Sequence, residues 1–123
     1  RGICCLIPGQ TYSRNIRVTR IVDTFQEHAR IWYFGNGGNP KLFLGSPDWM
    51  RRNLYRRIEA VTPILDPDAK QELIDMLSIQ LSDKRKACFV DENLHNCWKS
   101  AHPLKEKVRS QYTFYEYLKE KIE

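Results

Sequence analysis

Apolar residues cluster in short runs separated by polar, glycine- and proline-marked breaks. Residues 3–7 form the first continuous apolar run, which suits a short strand buried on both faces. Pro8-Gly9-Gln10 ends it. Ile16 and Val18 read as extended. Ile21, Val22 and Phe25 then share one helical face, so a short helix is expected over about residues 19–27. Residues 29–34 predict a second strand, with Ile31, Trp32, Tyr33 and Phe34 packing in core and sheet. Gly35-Asn36-Gly37-Gly38-Asn39-Pro40 is a strong turn, and residues 41–44 return as a third strand in a hairpin. Gly45-Ser46-Pro47-Asp48 ends that strand.

An arginine-rich polar stretch leads to a further strand over residues 57–64. Asp66 suits a helix N-cap with Pro67 at the first helical position, and Leu73, Ile74, Leu77 and Leu81 supply an apolar stripe. Residues 87–90 predict a last strand, residues 91–103 a polar loop, and residues 105–122 a terminal helix carrying Val108, Tyr112, Tyr115 and Leu118. The expected fold class is α/β, mixed α+β, with strands and helices interleaved.

The 123 residues suggest a single domain, 1–123, large enough to bury a core without staples. Lys and Arg number 20 against 15 Asp and Glu, a net charge of +5. That surplus favours an anionic partner, whether nucleotide, polyphosphate, nucleic acid or acidic lipid, without choosing among them. No apolar run approaches the roughly 18 residues that span a membrane. The start at Arg1 carries neither initiator Met nor a signal-peptide pattern, and reads as cut from a longer chain. The four cysteines form no disulfide framework, which points to a reducing, cytoplasmic setting. Cys88, His95, Cys97 and His102 lack the spacing of a zinc site, and His95 and His102 read as surface residues. Lys84-Arg85-Lys86 reads as a solvated helix end.

Chemistry concentrates between His28 and Arg57. His28 and Arg30 project to one side at the start of a strand, and the hairpin brings Gly45-Ser46 back beside them. An imidazole, a guanidinium, a hydroxyl and free backbone N–H groups would then meet at one sheet edge. Those are the needs of a phosphoryl oxygen: a proton carrier near neutral pH, a planar cation and neutral donors. Arg1, Arg30, Arg52, Arg56 and Arg57 can supply charge. Strand alternation would turn only one of Arg56 and Arg57 inward, with Arg57 favoured and Glu59 on the same side to orient an arginine.

The His28-x-Arg30 pair followed by Gly45-Ser46-Pro47-Asp48 resembles the phospholipase D superfamily signature, with Arg30 for its lysine and Asp48 for its asparagine. A longer set of strings is similar to the C-terminal catalytic domain of the polyphosphate kinase family: Arg1-Gly2-Ile3-Cys4-Cys5-Leu6, Asn15-Ile16-Arg17-Val18, Ile21-Val22-Asp23, Glu27-His28, Asn36-Gly37-Gly38, Asp48-Trp49-Met50 and Arg52-Asn53-Leu54. The resemblance runs from Arg1 to about Leu81 and weakens beyond Lys86. It implies a phospholipase D-like sheet flanked by helices, in a C-terminal domain excised from a longer chain. It implies reversible transfer of the ATP terminal phosphate to polyphosphate through a phosphohistidine on a missing partner domain.

The family's second catalytic histidine falls on His28, and its ATP- and phosphate-binding positions fall on Arg1, His28 and Arg57. Arg30, Ser46, Arg52 and Glu59 are supporting candidates. The family often carries Ser or Ala where Gly45 and Pro47 stand. ATP is implied as substrate, with Mg2+ held mainly by the missing domain and no metal ligand assigned here. ATP/ADP, polyphosphate, the rest of the kinase chain and a homo-oligomer are the implied partners, without specific nucleic acid. The implied place is cytoplasmic, with a peripheral membrane position left open. A phospholipase D-type phosphodiesterase and a non-catalytic polyanion-binding module are the alternatives, and the isolated fragment is expected to be inactive.

Overall fold

The computed structural model describes residues 6–122. Along the chain come β1 (Thr19–Ile21), β2 (Ile31–Phe34), β3 (Lys41–Gly45), α1 (Arg51–Tyr55), β4 (Val61–Pro63), α2 (Pro67–Ser82), β5 (Ala87–Val90), β6 (Asn96–Trp98) and α3 (Ser110–Ile122). The result is a mixed α/β architecture with two three-stranded sheets among the described residues. It divides into two compact units. One holds residues 27–75, and the other holds the described residues 6–26 and 76–122. The strand expected over residues 3–7 falls mostly outside the described residues, as does Arg1; Leu6 and Ile7 carry no strand.

The first unit is built on the hairpin that the sequence predicts. β2 and β3 pair antiparallel, with Ile31 opposite Leu44 and Phe34 opposite Lys41. The turn between them needs left-handed backbone at Asn36, Gly37 and Gly38 (φ 43°, 61° and 93°), which glycine tolerates without a Cβ clash. Leu42 is fully buried, and Phe34 meets Phe43 edge-on at 5.9 Å between ring centres. Tyr33 and Phe34 are nonetheless half exposed, so they cover the sheet without entering a core.

β4 joins the other side of β3, with Gly45 opposite Val61 and Phe43 opposite Pro63. The strand expected over residues 57–64 is therefore only Val61–Pro63. Its partner strand ends at Gly45, and beyond it the backbone bonding continues only from the Ser46 N–H to the Ala60 carbonyl. Gly45 is tight: a Cβ there would lie 2.8 Å from the Ala60 carbonyl and 2.9 Å from the Trp32 ring. The arginine-rich stretch contains α1, which sequence reading missed because five residues show no helical period. α2 starts as expected, the Asp66 carboxylate accepting the Ala69 N–H at 2.8 Å.

In the second unit β1, β5 and β6 form the other sheet, in that order. The helix expected over residues 19–27 is absent. Thr19, Arg20 and Ile21 pair with Phe89, Cys88 and Ala87 of β5, a partner far along the chain that overrides the local period. Asp23 then accepts the Thr24 N–H and bends the chain away. The polar loop expected over residues 91–103 contains β6. Asp91 closes that hairpin by accepting the N–H groups of Asn93 and His95, with Leu94 at φ 63°. Ala87, Cys88 and Val90 form the buried part of β5, while Cys97 on β6 is exposed. Leu73, Ile74 and Leu77 of α2 are half-buried, but Leu81 is exposed.

The terminal helix begins at Ser110, not at residue 105, because a buried carboxylate caps it there. Asp83 accepts the N–H of Ser110 at 2.8 Å, together with those of Arg85 and Lys86. Burial pushes Asp83 up, and the Lys86, Ser110 and Arg85 donors outweigh it, so its carboxyl lies below the ordinary 3.8. Arg109 grips Asp23 through Nε and Nη2 at 2.8 and 2.5 Å and lies 4.2 Å over the Tyr112 ring.

Candidate functional site

The first unit places His28, Arg30, Ser46 and Glu59 around the Gly45 end of its sheet. The Gly45 N–H donates to the Arg30 carbonyl at 3.1 Å, which carries the β2–β3 ladder one step beyond Ile31. The Ser46 N–H donates to the Ala60 carbonyl at 3.1 Å. The free backbone donors expected at this sheet end are thus engaged in holding the three segments together.

Two hydrogen-bonded groups follow. In the first, Arg30 is anchored to Asp48, its Nε and Nη2 both reaching Oδ1 at 3.0 and 2.9 Å. Its remaining terminal nitrogen donates to the His28 carbonyl at 2.6 Å and lies 3.4 Å from His28 Nδ1. A guanidinium only donates, so this contact asks Nδ1 to accept and places the neutral imidazole's proton on Nε2. His28 itself is exposed.

In the second group, the Ser46 hydroxyl donates to Glu59 Oε2 at 2.5 Å, and Asn53 Nδ2 donates to Oε1 at 2.7 Å. The Ala60 N–H reaches the Ser46 hydroxyl at 3.4 Å. Those Ser46 and Asn53 bonds hold the Glu59 carboxyl below its ordinary range, helped by the Arg57 charge and opposed by burial and Asp48. Glu59 is therefore an anion at neutral pH, with one protein donor on each carboxylate oxygen. Asn53 is buried, and its Oδ1 has no hydrogen-bond partner.

The arginines divide accordingly. Arg30 is neutralised by Asp48 and acts as a strut. Arg51, Arg52, Arg56 and Arg57 are exposed, and none forms an ion pair among the described residues. Arg56 caps the C-terminal end of α1, and Arg57 lies in the bend after it, so no strand alternation separates the two. They still diverge. Arg57 is close enough to Glu59 to lower its pKa, while Arg56 lines an open concavity of about 630 Å³ with Arg51 and Tyr55.

Sequence reasoning placed Asp48 in the motif without giving it a role, and gave Asn53 none in this arrangement. Asp48 was legible in principle, standing two residues past Ser46 on the returning hairpin. Asn53 was not: no pattern marks one asparagine between arginines as buried. Trp49 is exposed.

The profile of the family described as polyphosphate kinase C-terminal domain 2 matches residues 1–111. The polyphosphate kinase of Escherichia coli K12 is 45% identical over 120 residues, covering 97% of this chain and 17% of its own length. That of Synechocystis is 54% identical over 88 residues, 71% of this chain and 12% of its own. The crystal structure of polyphosphate kinase from Porphyromonas gingivalis superposes with a TM-score of 0.90 at 53% identity, over 98% of this chain and 18% of that one. The chain thus spans about a sixth of the length of these relatives, and it belongs to the polyphosphate kinase C-terminal domain family.

Proposed function

We propose that this chain supplies half of a phosphoryl-transfer site, in which the terminal phosphate of ATP passes reversibly to polyphosphate. The observation that carries the reading is the family match over residues 1–111, laid on a sheet end where Arg30 holds His28 at its backbone carbonyl and near Nδ1. Phosphoryl transfer asks a protein mainly for positioning and charge neutralisation. His28, exposed and with Nδ1 against Arg30, serves through Nε2 as proton donor or acceptor at the bridging oxygen. Arg57 and Arg52, exposed and without an ion pair among the described residues, provide charge for the phosphates, and Arg1, which lies outside the described residues, joins them through the family resemblance, while Ser46 and Glu59 stiffen the loop that carries Arg52 and Arg57. The phosphohistidine belongs to the remainder of the polypeptide, and residues 1–123 act as one C-terminal piece of it.

Two features separate this reading from a phosphodiesterase. That chemistry wants a free cation beside the histidine, and Arg30 is tied to Asp48 instead. The family match is also to a kinase domain over nearly the whole chain. The phospholipase D-like kinship of the fold, a homo-oligomeric assembly and a cytoplasmic location belong to the same proposal. No described helix is long and apolar enough to cross a membrane.

Magnesium would accompany ATP. Among the described residues no three His, Cys, Asp or Glu side chains are grouped to hold a metal ion. Asp48 is committed to Arg30, and Glu59 to Ser46 and Asn53. These side chains do not fit a resident metal, and no residue of this chain is given a role in holding one.

The test is ATP-dependent phosphate polymerisation by the full-length protein, wild type against His28→Ala. The variant should lose about 10²- to 10⁴-fold in kcat. Unchanged activity would remove His28 from the mechanism. Hydrolysis of phosphodiesters by the wild type without polymerisation would replace the kinase reading.

A further inference from the structure

His28 lies ahead of β2, exposed and outside the sheet ladder. The side chain recorded against its ring is that of Arg30. A long guanidinium side chain is a poor support unless something fixes it, because its rotamer freedom is worth about 2 kcal/mol. Asp48 fixes it. One carboxylate oxygen accepts from both Nε and Nη2, which sets the plane of the guanidinium and leaves Nη1 directed at His28. Asp48 is itself placed by the chain: Pro47 before it has a locked φ and is half-buried, and Ser46 before that is pinned to Ala60. The carboxylate also cancels the charge of Arg30. An uncancelled guanidinium two residues from His28 would be drawn to an incoming phosphate and would leave the imidazole unsupported.

We propose that Asp48 is a positioning residue for the transfer reaction, acting on His28 through Arg30. It keeps the guanidinium as a strut, so that Nδ1 accepts and Nε2 faces the reacting oxygen. The inference rests on the role given to His28 above, and it adds a residue that works without touching substrate. It also gives the acid standing two residues past Ser46 its own purpose.

A kinetic cycle in the full-length protein tests it, using wild type, Asp48→Asn, His28→Ala and the double variant. Asp48→Asn keeps the shape and removes the charge. Its kcat should fall by about 10- to 100-fold, as misplacement of a catalytic group does, with KM for ATP and for polyphosphate within about two-fold. In the His28→Ala background the same change should cost no more than about two-fold, because residues that act as a unit do not add. Asp48→Glu, which restores the carboxylate, should regain part of the lost kcat, and Asp48→Ser, which also removes the charge, takes the place of the asparagine variant in the cycle if that protein does not fold.

Wild-type kcat in Asp48→Asn would overturn the inference. So would an equal loss with or without His28, which marks a purely structural role, or a rise in KM at constant kcat, which marks substrate binding. Loss of activity in His28→Ala with none in Asp48→Asn sinks only this inference. Full activity in His28→Ala sinks the role of His28 and this inference with it.

Discussion

The two units use the same charged residue types in opposite ways. In the unit holding residues 6–26 and 76–122, charge is buried to make joints. Asp83 is fully buried and takes three backbone N–H groups, and Asp23, with its side chain 1% exposed, is gripped by Arg109. In the unit holding residues 27–75, Asp48 and Glu59 are half exposed and each immobilises a polar neighbour, while four arginines of residues 51–57 stand exposed without an ion pair among the described residues. Removing one partner of a buried ion pair leaves an uncompensated buried charge and is costly to the folded state. An unpaired exposed arginine contributes little to folding and is available to a phosphate, where bidentate donation is strong. A strongly charged stretch is thus best judged by which charges are already spent.

That contrast is sharpest in two arginines. Arg57→Ala should lower kcat/KM for polyphosphate by about 10- to 100-fold, the loss of a charge-assisted hydrogen bond, with the melting temperature unchanged. Arg109→Ala should do the reverse, lowering the melting temperature while activity per folded molecule is retained, because Asp23 is left buried without its cation. Steady-state kinetics and thermal unfolding of the two full-length variants decide it. Stability loss in Arg57→Ala, or lost turnover in folded Arg109→Ala, would break the division between the units.

The same contrast explains what the sequence could show. The β2–β3 hairpin and the Asp66 start of α2 are local, each written in a few neighbouring residues, and both stand where the pattern puts them. β1 is not local. Ile21, Val22 and Phe25 do share a helical face, and only pairing with Ala87 to Phe89 makes residues 19–21 a strand. The chemistry divides likewise. His28, Arg30 and Ser46 could be brought together on paper because one hairpin joins them. That Arg30 is spent on Asp48, and the Gly45 and Ser46 amides on Arg30 and Ala60, depends on side-chain and loop geometry that no spacing encodes. The length of the relatives adds a further reason: a domain that is about a sixth of its family's chain holds only part of the pattern that selected its residues.

A second break in the comparison tests the buried acid. Asp83→Asn keeps the volume but loses the charge and one acceptor oxygen, leaving a buried N–H poorly matched. It should destabilise the protein by about 1–3 kcal/mol at pH 7. The sign with pH follows from the lowered pKa. A carboxyl whose folded value lies below its unfolded value stabilises fully above the unfolded value, and loses that contribution as pH falls through the folded one. Wild type should therefore converge on Asp83→Asn as the pH drops below about 4. Denaturant titrations at pH 7 and at pH 3 measure the gap. A gap that is unchanged or wider at the lower pH would mean that Asp83 does not owe its effect to charge.

The smallest expected effect guards against reading every acid of residues 27–75 as part of the site. Asp66 lies in that unit too, and its carboxylate does one thing: it accepts the Ala69 N–H at the start of α2. Pro67 at the first helical position and Asp68 in the first turn already favour that end, so the cap is one of several supports. Asp66→Ala should cost about 1 kcal/mol in stability, the usual price of a lost N-cap, with kcat and KM unchanged. Asp48→Asn should show the mirror pattern, lost kcat and nearly unchanged stability, although the two carboxylates lie on neighbouring stretches of the same unit. If Asp66→Ala lowered kcat as much as Asp48→Asn does, the unit would be responding to any local loosening, and the separation drawn between its struts and its scaffold would fail.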